Sequence, residues 1–262
     1  MRGGPERVVL REGAAARLIC LPFAGGSARS FVRLARHLPD GWQVTAAQPP
    51  SGAPDGLGLD DLAGHYLAVL AGDLAAARRF EGPTLLLGHS LGAAVAHRMA
   101  ALWPADVADA VGVVLSAPPP PGTVTAGLLA LDDPALLTEA GRRGMLPELG
   151  GGPDFAIRFL LPELRRDLVA LGGAGWRAEP VAAEVHVLAG TQDALLPPAA
   201  AARLADALGA RSCRLVEGGH LYVVEQPAAA ARAVDALAHG RRAAFPSPDS
   251  TTSVPVRDEE YA

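Results

Sequence analysis

Apolar residues along this chain fall into two alternating patterns. Short, nearly continuous runs occupy residues 17–21, 42–47, 85–87, 110–116, 185–189 and 212–216. Runs of that length suit strands covered on both faces. Between them, apolar positions recur every three or four residues. In 30–38 they are Phe31, Leu34, Ala35 and Leu38, and in 59–80 they include Leu62, Tyr66, Val69, Leu70 and Leu74. An Ala-rich stretch after Gly92 and segments 199–208 and 227–238 have the same helical character. Strands alternating with helices at this spacing predict β-α-β units. The expected class is α/β, with a mostly parallel central sheet and helices on both faces. Residues 1–16 read as a loose lead-in with an edge strand at 7–10.

One interval breaks the rhythm. From Ser116 to Val185 lie about 70 residues, far more than a crossover helix with its loops requires. This interval opens on the stiff Pro118-Pro-Pro-Pro121 run, continues through Leu128 to Leu137, and has a Gly-rich break at 150–152 and helical spacing over 155–171. Residues 118 to about 178 therefore read as a helical lid over the carboxyl edge of the sheet. Two ordinary surface helices with long loops are the plainer alternative. Residues 1–240, this insertion included, read as a single domain. Residues 241–262, polar, Pro- and Ser-rich and finally acidic, read as a disordered tail.

Composition narrows the function classes. A net charge of −5, with no Lys/Arg run interleaved with aromatics, argues against nucleic-acid binding. No apolar stretch approaches the ~18 residues of a membrane span. The first residues lack the apolar core of a secretory signal, so a cytoplasmic, non-membrane protein is expected. The cysteines, Cys20 and Cys213, make no disulfide framework and read as small buried apolar residues. No cofactor or metal is called for: the glycines after residue 22 lack a P-loop lysine and fit no dinucleotide fingerprint.

The chemistry centres on Gly88-His-Ser-Leu-Gly92, set between an apolar run and a helical stretch. This G-x-S-x-G spacing suits a strand-turn-helix elbow that lifts Ser90 above the sheet at a helix N-terminus, where a developing oxyanion is favoured. The loop Pro22-Phe-Ala-Gly-Gly-Ser27 follows an early strand, the place from which serine hydrolases of this type draw one oxyanion donor. Ala24 is the expected donor, with Gly25 as an alternative. A serine needs a base, and the base a carboxylate. Of the seven histidines, His220 directly follows a strand in a Gly-rich loop. His89 adjoins the serine, His97 lies on the packing helix, His186 lies within a strand, and His65 reads as a helix residue. Asp193 occupies the matching place after the preceding strand. The order Ser90, Asp193, His220 is that of α/β-hydrolases. Each partner also has a plain reading, Asp193 as a turn or N-cap carboxylate and His220 as a loop histidine.

The runs Leu18-Ile-Cys-Leu-Pro-Phe-Ala-Gly-Gly-Ser27, Gly88-His-Ser-Leu-Gly92, Phe159-Leu-Leu-Pro-Glu-Leu-Arg-Arg-Asp-Leu168, Gly190-Thr-Gln-Asp193 and Gly218-Gly-His220 resemble the type II thioesterases that accompany polyketide synthases and nonribosomal peptide synthetases. The resemblance spans about residues 17–238. It implies triad roles for Ser90, Asp193 and His220, and an oxyanion hole from the backbone N–H groups of Ala24 and Leu91. It also implies hydrolysis of stalled or wrongly loaded acyl groups from the phosphopantetheine arm of acyl or peptidyl carrier proteins. No pattern in the chain suggests an obligate interface, so a monomer is expected. One departure is Pro49-Pro-Ser-Gly-Ala, where many relatives have Pro-Gly-Arg or Pro-Gly-His-Gly. Arg142, Arg143, Arg165 and Arg166 are candidates for a patch that docks an acidic carrier, or a solvated lid face. A carboxylesterase or lipase acting on free oxygen esters would use the same triad, and a non-catalytic binding module would share the fold.

Overall fold

The computed structural model describes residues 6–50, 56–123, 125–146, 152–173 and 176–244. The chain runs through β1 (Arg7–Arg11), β2 (Ala16–Leu21), a 3-10 turn (Ala28–Phe31) leading into α1 (Val32–His37), β3 (Trp42–Ala47), α2 (Leu59–Ala77), β4 (Thr84–His89), α3 (Leu91–Ala101), α4 (Ala105–Ala110) and β5 (Val111–Ser116). It continues through α5 (Ala126–Leu129), α6 (Asp133–Arg142), α7 (Gly152–Phe159), α8 (Leu161–Gly173), β6 (Val185–Gly190), α9 (Pro198–Ala207), β7 (Ser212–Val216), α10 (Tyr222–Glu225) and α11 (Pro227–Ala244).

The strands form a seven-stranded sheet in the order β1-β3-β2-β4-β5-β6-β7. Only the β1 pairing is antiparallel; β2 to β7 run parallel. Because side chains alternate across a strand, each apolar run feeds two cores at once. On one face Leu18, Cys20, Val44, Leu85, Leu87 and Val114 pack with α1 and α11. On the other, Ile19, Leu21, Leu86, Val113, Leu115 and Val187 pack with α2, α3, α9 and the helices inserted after β5. Full burial of a leucine stabilises by about 1.5–3 kcal/mol, so these alternating runs hold the sheet together.

The chain leaves β2 for β3 on one side and then crosses to β4 on the other, so the order reverses between β2 and β4. Helices diverge to opposite faces at such a point and leave a crevice at the strands' carboxyl ends. The Pro22–Ser27 loop and Ser90 both emerge there.

Helices α5 to α8 fill the interval between β5 and β6 and lie over that carboxyl edge. Leu160 and Leu164 press on Gly25, and Gly144, just past α6, faces His220. Thr125 Oγ1 donates to the Leu168 carbonyl at 2.8 Å and Trp176 Nε1 to the Pro119 carbonyl at 2.9 Å. Asp132 caps α6 by accepting from the Ala135 N–H at 2.9 Å.

Several expectations change. The helical stretch at 155–171 is two helices, broken at Leu160: Pro162 lacks the N–H that would bond the carbonyl four residues earlier and disfavours helix in the residue before it. α2 ends at Ala77 rather than residue 80, and α4 and α10 had no periodic signal. Cys213 is exposed rather than buried, because β7 is an edge strand whose central residues are uncovered. α11 continues to Ala244, beyond the expected start of the tail at 241. Residues 245–262, the loop departure at 51–53 and the glycines at 150–151 lie outside the described residues. Among the described residues, no helix is long and apolar enough to cross a membrane.

Candidate active site

Ser90 lies between β4 and α3 with φ 53° and ψ −117°. A non-glycine residue with positive φ costs about 1–3 kcal/mol and persists only where its surroundings hold it. Here the Ser90 N–H donates to the Ser116 carbonyl at 2.9 Å, and the Ser90 carbonyl accepts from Ala93 at 2.9 Å. The flanking glycines serve close approach rather than their own torsions. A Cβ on Gly88 would meet the Gly92 carbonyl oxygen at 2.0 Å, and one on Gly92 would meet the Leu21 carbonyl oxygen at 2.5 Å. The elbow is therefore wedged against the end of β2.

His220 and Asp193 complete a hydrogen-bonded line. His220 Nε2 stands 3.0 Å from Ser90 Oγ, and His220 Nδ1 stands 2.8 Å from Asp193 Oδ2. With a carboxylate at Nδ1, the proton belongs there, which leaves Nε2 to accept from the serine hydroxyl. Both residues are buried, at 3% exposure for Asp193 and 4% for His220. Asp193 Oδ1 also accepts from the N–H groups of Leu195 at 2.8 Å and Leu196 at 3.0 Å. The plain reading of Asp193 as a turn carboxylate thus holds alongside the chemical one: one oxygen fixes the turn, the other faces the imidazole.

Behind His220 is a buried network that had no signal in the sequence. His89 Nδ1 bonds Ser116 Oγ at 2.9 Å, and Ser116 Oγ bonds the Tyr222 hydroxyl at 2.5 Å. Burial, and secondarily the charge of His220, hold the His89 imidazole well below its ordinary range, so this ring stays neutral. Its centroid is 5.6 Å from that of His220. Burial pushes the Tyr222 phenol up.

The other histidines stay outside. His97 bonds the Glu179 carbonyl at 2.8 Å and packs on Trp176, while His186 bonds Ser212 and Glu184, each at 2.8 Å. His65 packs edge-on against Tyr66 within α2.

Of the two possible oxyanion donors in the Pro22–Ser27 loop, the Gly25 N–H is engaged: it donates to Asp167 Oδ2 of α8 at 2.8 Å. Ala24 is buried beside it. Leu91 is the first residue of α3, so its N–H has no intrahelical acceptor. Arg142, Arg143, Arg165 and Arg166, on the inserted helices, do not form a free patch. Arg142 and Arg143 pair with Glu139, Arg165 with Asp133, and Arg166 with Glu163 and Asp167. Their charge is largely met within the inserted helices, which fits the reading of a solvated face better than that of a docking patch. Among the described residues, no group of three or more His, Cys, Asp or Glu is disposed to hold a metal ion.

A strained serine, a histidine and a carboxylate in line, on loops at the ends of parallel strands, make an acyl-transfer site. A family model for the thioesterase domain matches residues 16–237. The chain belongs to the thioesterase family. This thioesterase is 31% identical over 222 residues to the thioesterase PikA5 of Streptomyces venezuelae, covering 81% of this chain and 77% of that one. It is 29% identical over 246 residues to a probable cadicidin biosynthesis thioesterase of Streptomyces griseus, covering 89% of this chain and 65% of that one. Among solved structures, the type II thioesterase BorB of the borrelidin biosynthetic cluster superposes with a TM-score of 0.70 at 25% identity, over 89% of this chain and 98% of that one.

Proposed function

We propose that this thioesterase releases stalled or wrongly loaded acyl groups from the phosphopantetheine arm of acyl or peptidyl carrier proteins in polyketide or nonribosomal peptide assembly. The observation that carries the chemistry is the Ser90–His220–Asp193 line beneath a helical lid. The names of PikA5 and BorB support the setting. A cytoplasmic location accords with that setting, and the site needs neither cofactor nor metal for the steps below.

In this reading Ser90 Oγ attacks the thioester carbonyl while His220 Nε2 takes its proton. Asp193 holds the Nδ1 proton and stabilises the imidazolium that forms. The N–H groups of Ala24 and Leu91 receive the oxyanion, and the positive end of α3 adds to their effect. Collapse expels the pantetheine thiol, which takes the proton back from His220. A thiol with a pKa of about 8.5 leaves readily, so the acylation step demands less of the acid than amide cleavage does. His220 then draws a proton from water, which attacks the Ser90 ester, and a second collapse frees the acid and Ser90. The strain stored at Ser90 keeps the hydroxyl in reach of both the base and the donors.

The substrate class is tested by presenting the same acyl chain on a carrier protein and as a free oxygen ester, and following each by intact mass. Faster return of the carrier to its free-thiol mass is expected. A strong preference for the free ester would make this a carboxylesterase that shares the family's fold.

A further inference from the structure

We propose that Asp167, a lid residue, is a positioning residue for the oxyanion hole: through the Gly25 N–H it sets the peptide that places the Ala24 N–H above Ser90. The inference rests on the reading of Ala24 as an oxyanion donor. Asp167 lies midway along α8 and is only 5% exposed. Its Oδ2 accepts from the Gly25 N–H at 2.8 Å, across 142 residues of chain, and its Oδ1 accepts from Arg166 Nη2 at 3.0 Å.

A buried carboxylate is an expensive way to fill space. An apolar side chain of similar volume would pack without the cost of desolvating a charge. Burial pushes the Asp167 carboxyl up, while Gly25 and Arg166 act against that shift. What the carboxylate supplies is direction, since a charge-assisted bond fixes the plane of the Ala24–Gly25 peptide. The preceding Phe23–Ala24 peptide, which carries the Ala24 N–H itself, is held by a bond within the loop, and Asp167 fixes the peptide on the other side of Ala24. Gly25 has φ +73°, a conformation open to glycine and rarely to other residues, and the turn is closed by the Gly26 N–H donating to the Phe23 carbonyl at 2.8 Å. Leu160 and Leu164 press on Gly25 from the lid side, at 3.2 and 3.7 Å from where a Cβ would stand. Asp167 also shares a small cavity with Phe23, the neighbour of Ala24, and with Leu91, the second donor.

The lid helix has its own anchorage. Thr125 Oγ1 bonds the Leu168 carbonyl at 2.8 Å, and α8 buries Leu161, Leu164 and Leu168. Removing the carboxylate therefore leaves α8 in place and frees the loop. The lid thus takes part in transition-state stabilisation as well as covering the site.

The test compares Asp167→Ala and Asp167→Asn with the wild type on a small-thiol acyl thioester, together with inhibition by a trifluoromethyl ketone analogue whose adduct with Ser90 carries an oxyanion. Loss of one oxyanion donor costs about 10²–10³-fold, and a misplaced donor costs part of that. Asp167→Ala is expected to lower kcat by ~10- to 100-fold, leave KM within about twofold, and raise the inhibitor Ki in parallel with the loss of kcat/KM. Asp167→Asn keeps an acceptor for Gly25 and is expected to recover most of the loss. If Asp167→Ala does not fold, Asp167→Leu, which refills the space without an acceptor, carries the same expectation. Unchanged kcat/KM in a folded variant overturns the proposal, as does a fall in kcat without a rise in Ki. Failure of both apolar variants to fold, with Asp167→Asn fully active, would make Asp167 a stability residue only. The ratios are read on whichever ester the wild type hydrolyses, so an error about carrier proteins leaves this test intact.

Discussion

Gly190 and Gly219 meet backbone to backbone at the carboxyl edge of the sheet: a Cβ on Gly190 would lie 2.4 Å from the Gly219 carbonyl oxygen. This contact joins the loop that carries Asp193 to the loop that carries His220. Around it, the Thr191 N–H donates to the Val216 carbonyl at 2.8 Å and the Gln192 N–H to the Gly218 carbonyl at 2.9 Å. Gly190→Ala is expected to push the two loops apart, destabilising the fold by about 1–3 kcal/mol as overpacking does. It should also stretch the imidazole–carboxylate bond and lower kcat in the protein that remains folded. Gly219→Ala is the control, since its Cβ would meet nothing within 4 Å. Thermal melting and kcat on both variants check this; equal behaviour of the two would contradict it.

A second expectation concerns acid. The His89 imidazole is held well below its ordinary value of 6.5, first by burial and then by the charge of His220. The unfolded chain therefore binds a proton near that value while the folded chain does not. The stability His89 contributes is fully present above about pH 6.5 and falls as the pH drops below it, by up to about 1.4 kcal/mol per pH unit for one group. His97, also lowered mainly by burial, adds a shift of the same sign. His89→Asn is expected to flatten the dependence of the urea midpoint on pH between ~5 and ~7. An unchanged slope would mean that His89 is protonated in the folded protein.

Helix α2 offers a gain in stability. Gly64 and Gly72 lie within its 19 residues, and a Cβ on either would meet nothing within 4 Å. Glycine in a helix interior costs about 0.5–1 kcal/mol relative to alanine. Gly64→Ala and Gly72→Ala should each raise the unfolding free energy by about that amount with activity unchanged. Lower melting temperatures would show that α2 needs those glycines for a reason its packing does not reveal.

Much of this was legible in the chain because the sheet is buried on both faces. Apolar runs such as 85–87 and 185–189 had to be interior strands, and parallel strands put every following loop at one edge. That alone brought Ser90, Asp193 and His220 together. The helical insertion between β5 and β6 was legible as an excess of length, though its break at Leu160 depended on Pro162, whose effect periodicity alone conceals. Ser116 and Tyr222 were not legible: each is one polar residue beside apolar neighbours, and their bond spans 106 residues of chain. Asp167 was hidden in the same way among the charges of Glu163, Arg165 and Arg166, and only its depth separates it from them. The arginines left two readings open for the opposite reason, since sequence counts charges but not the carboxylates that meet them in space.

The central claim is that Ser90 carries the acyl group between thioester and water. The most direct measurement is intact and peptide mass spectrometry of the enzyme quenched during turnover of an acyl-carrier protein, alongside Ser90→Ala. The account predicts an acyl adduct on the peptide containing Ser90, a carrier returned to its free-thiol mass, and, in Ser90→Ala, no adduct with turnover lowered by at least ~10³-fold in a protein that melts normally. Undiminished turnover by Ser90→Ala, or an adduct on another residue such as the exposed Cys213, would contradict it.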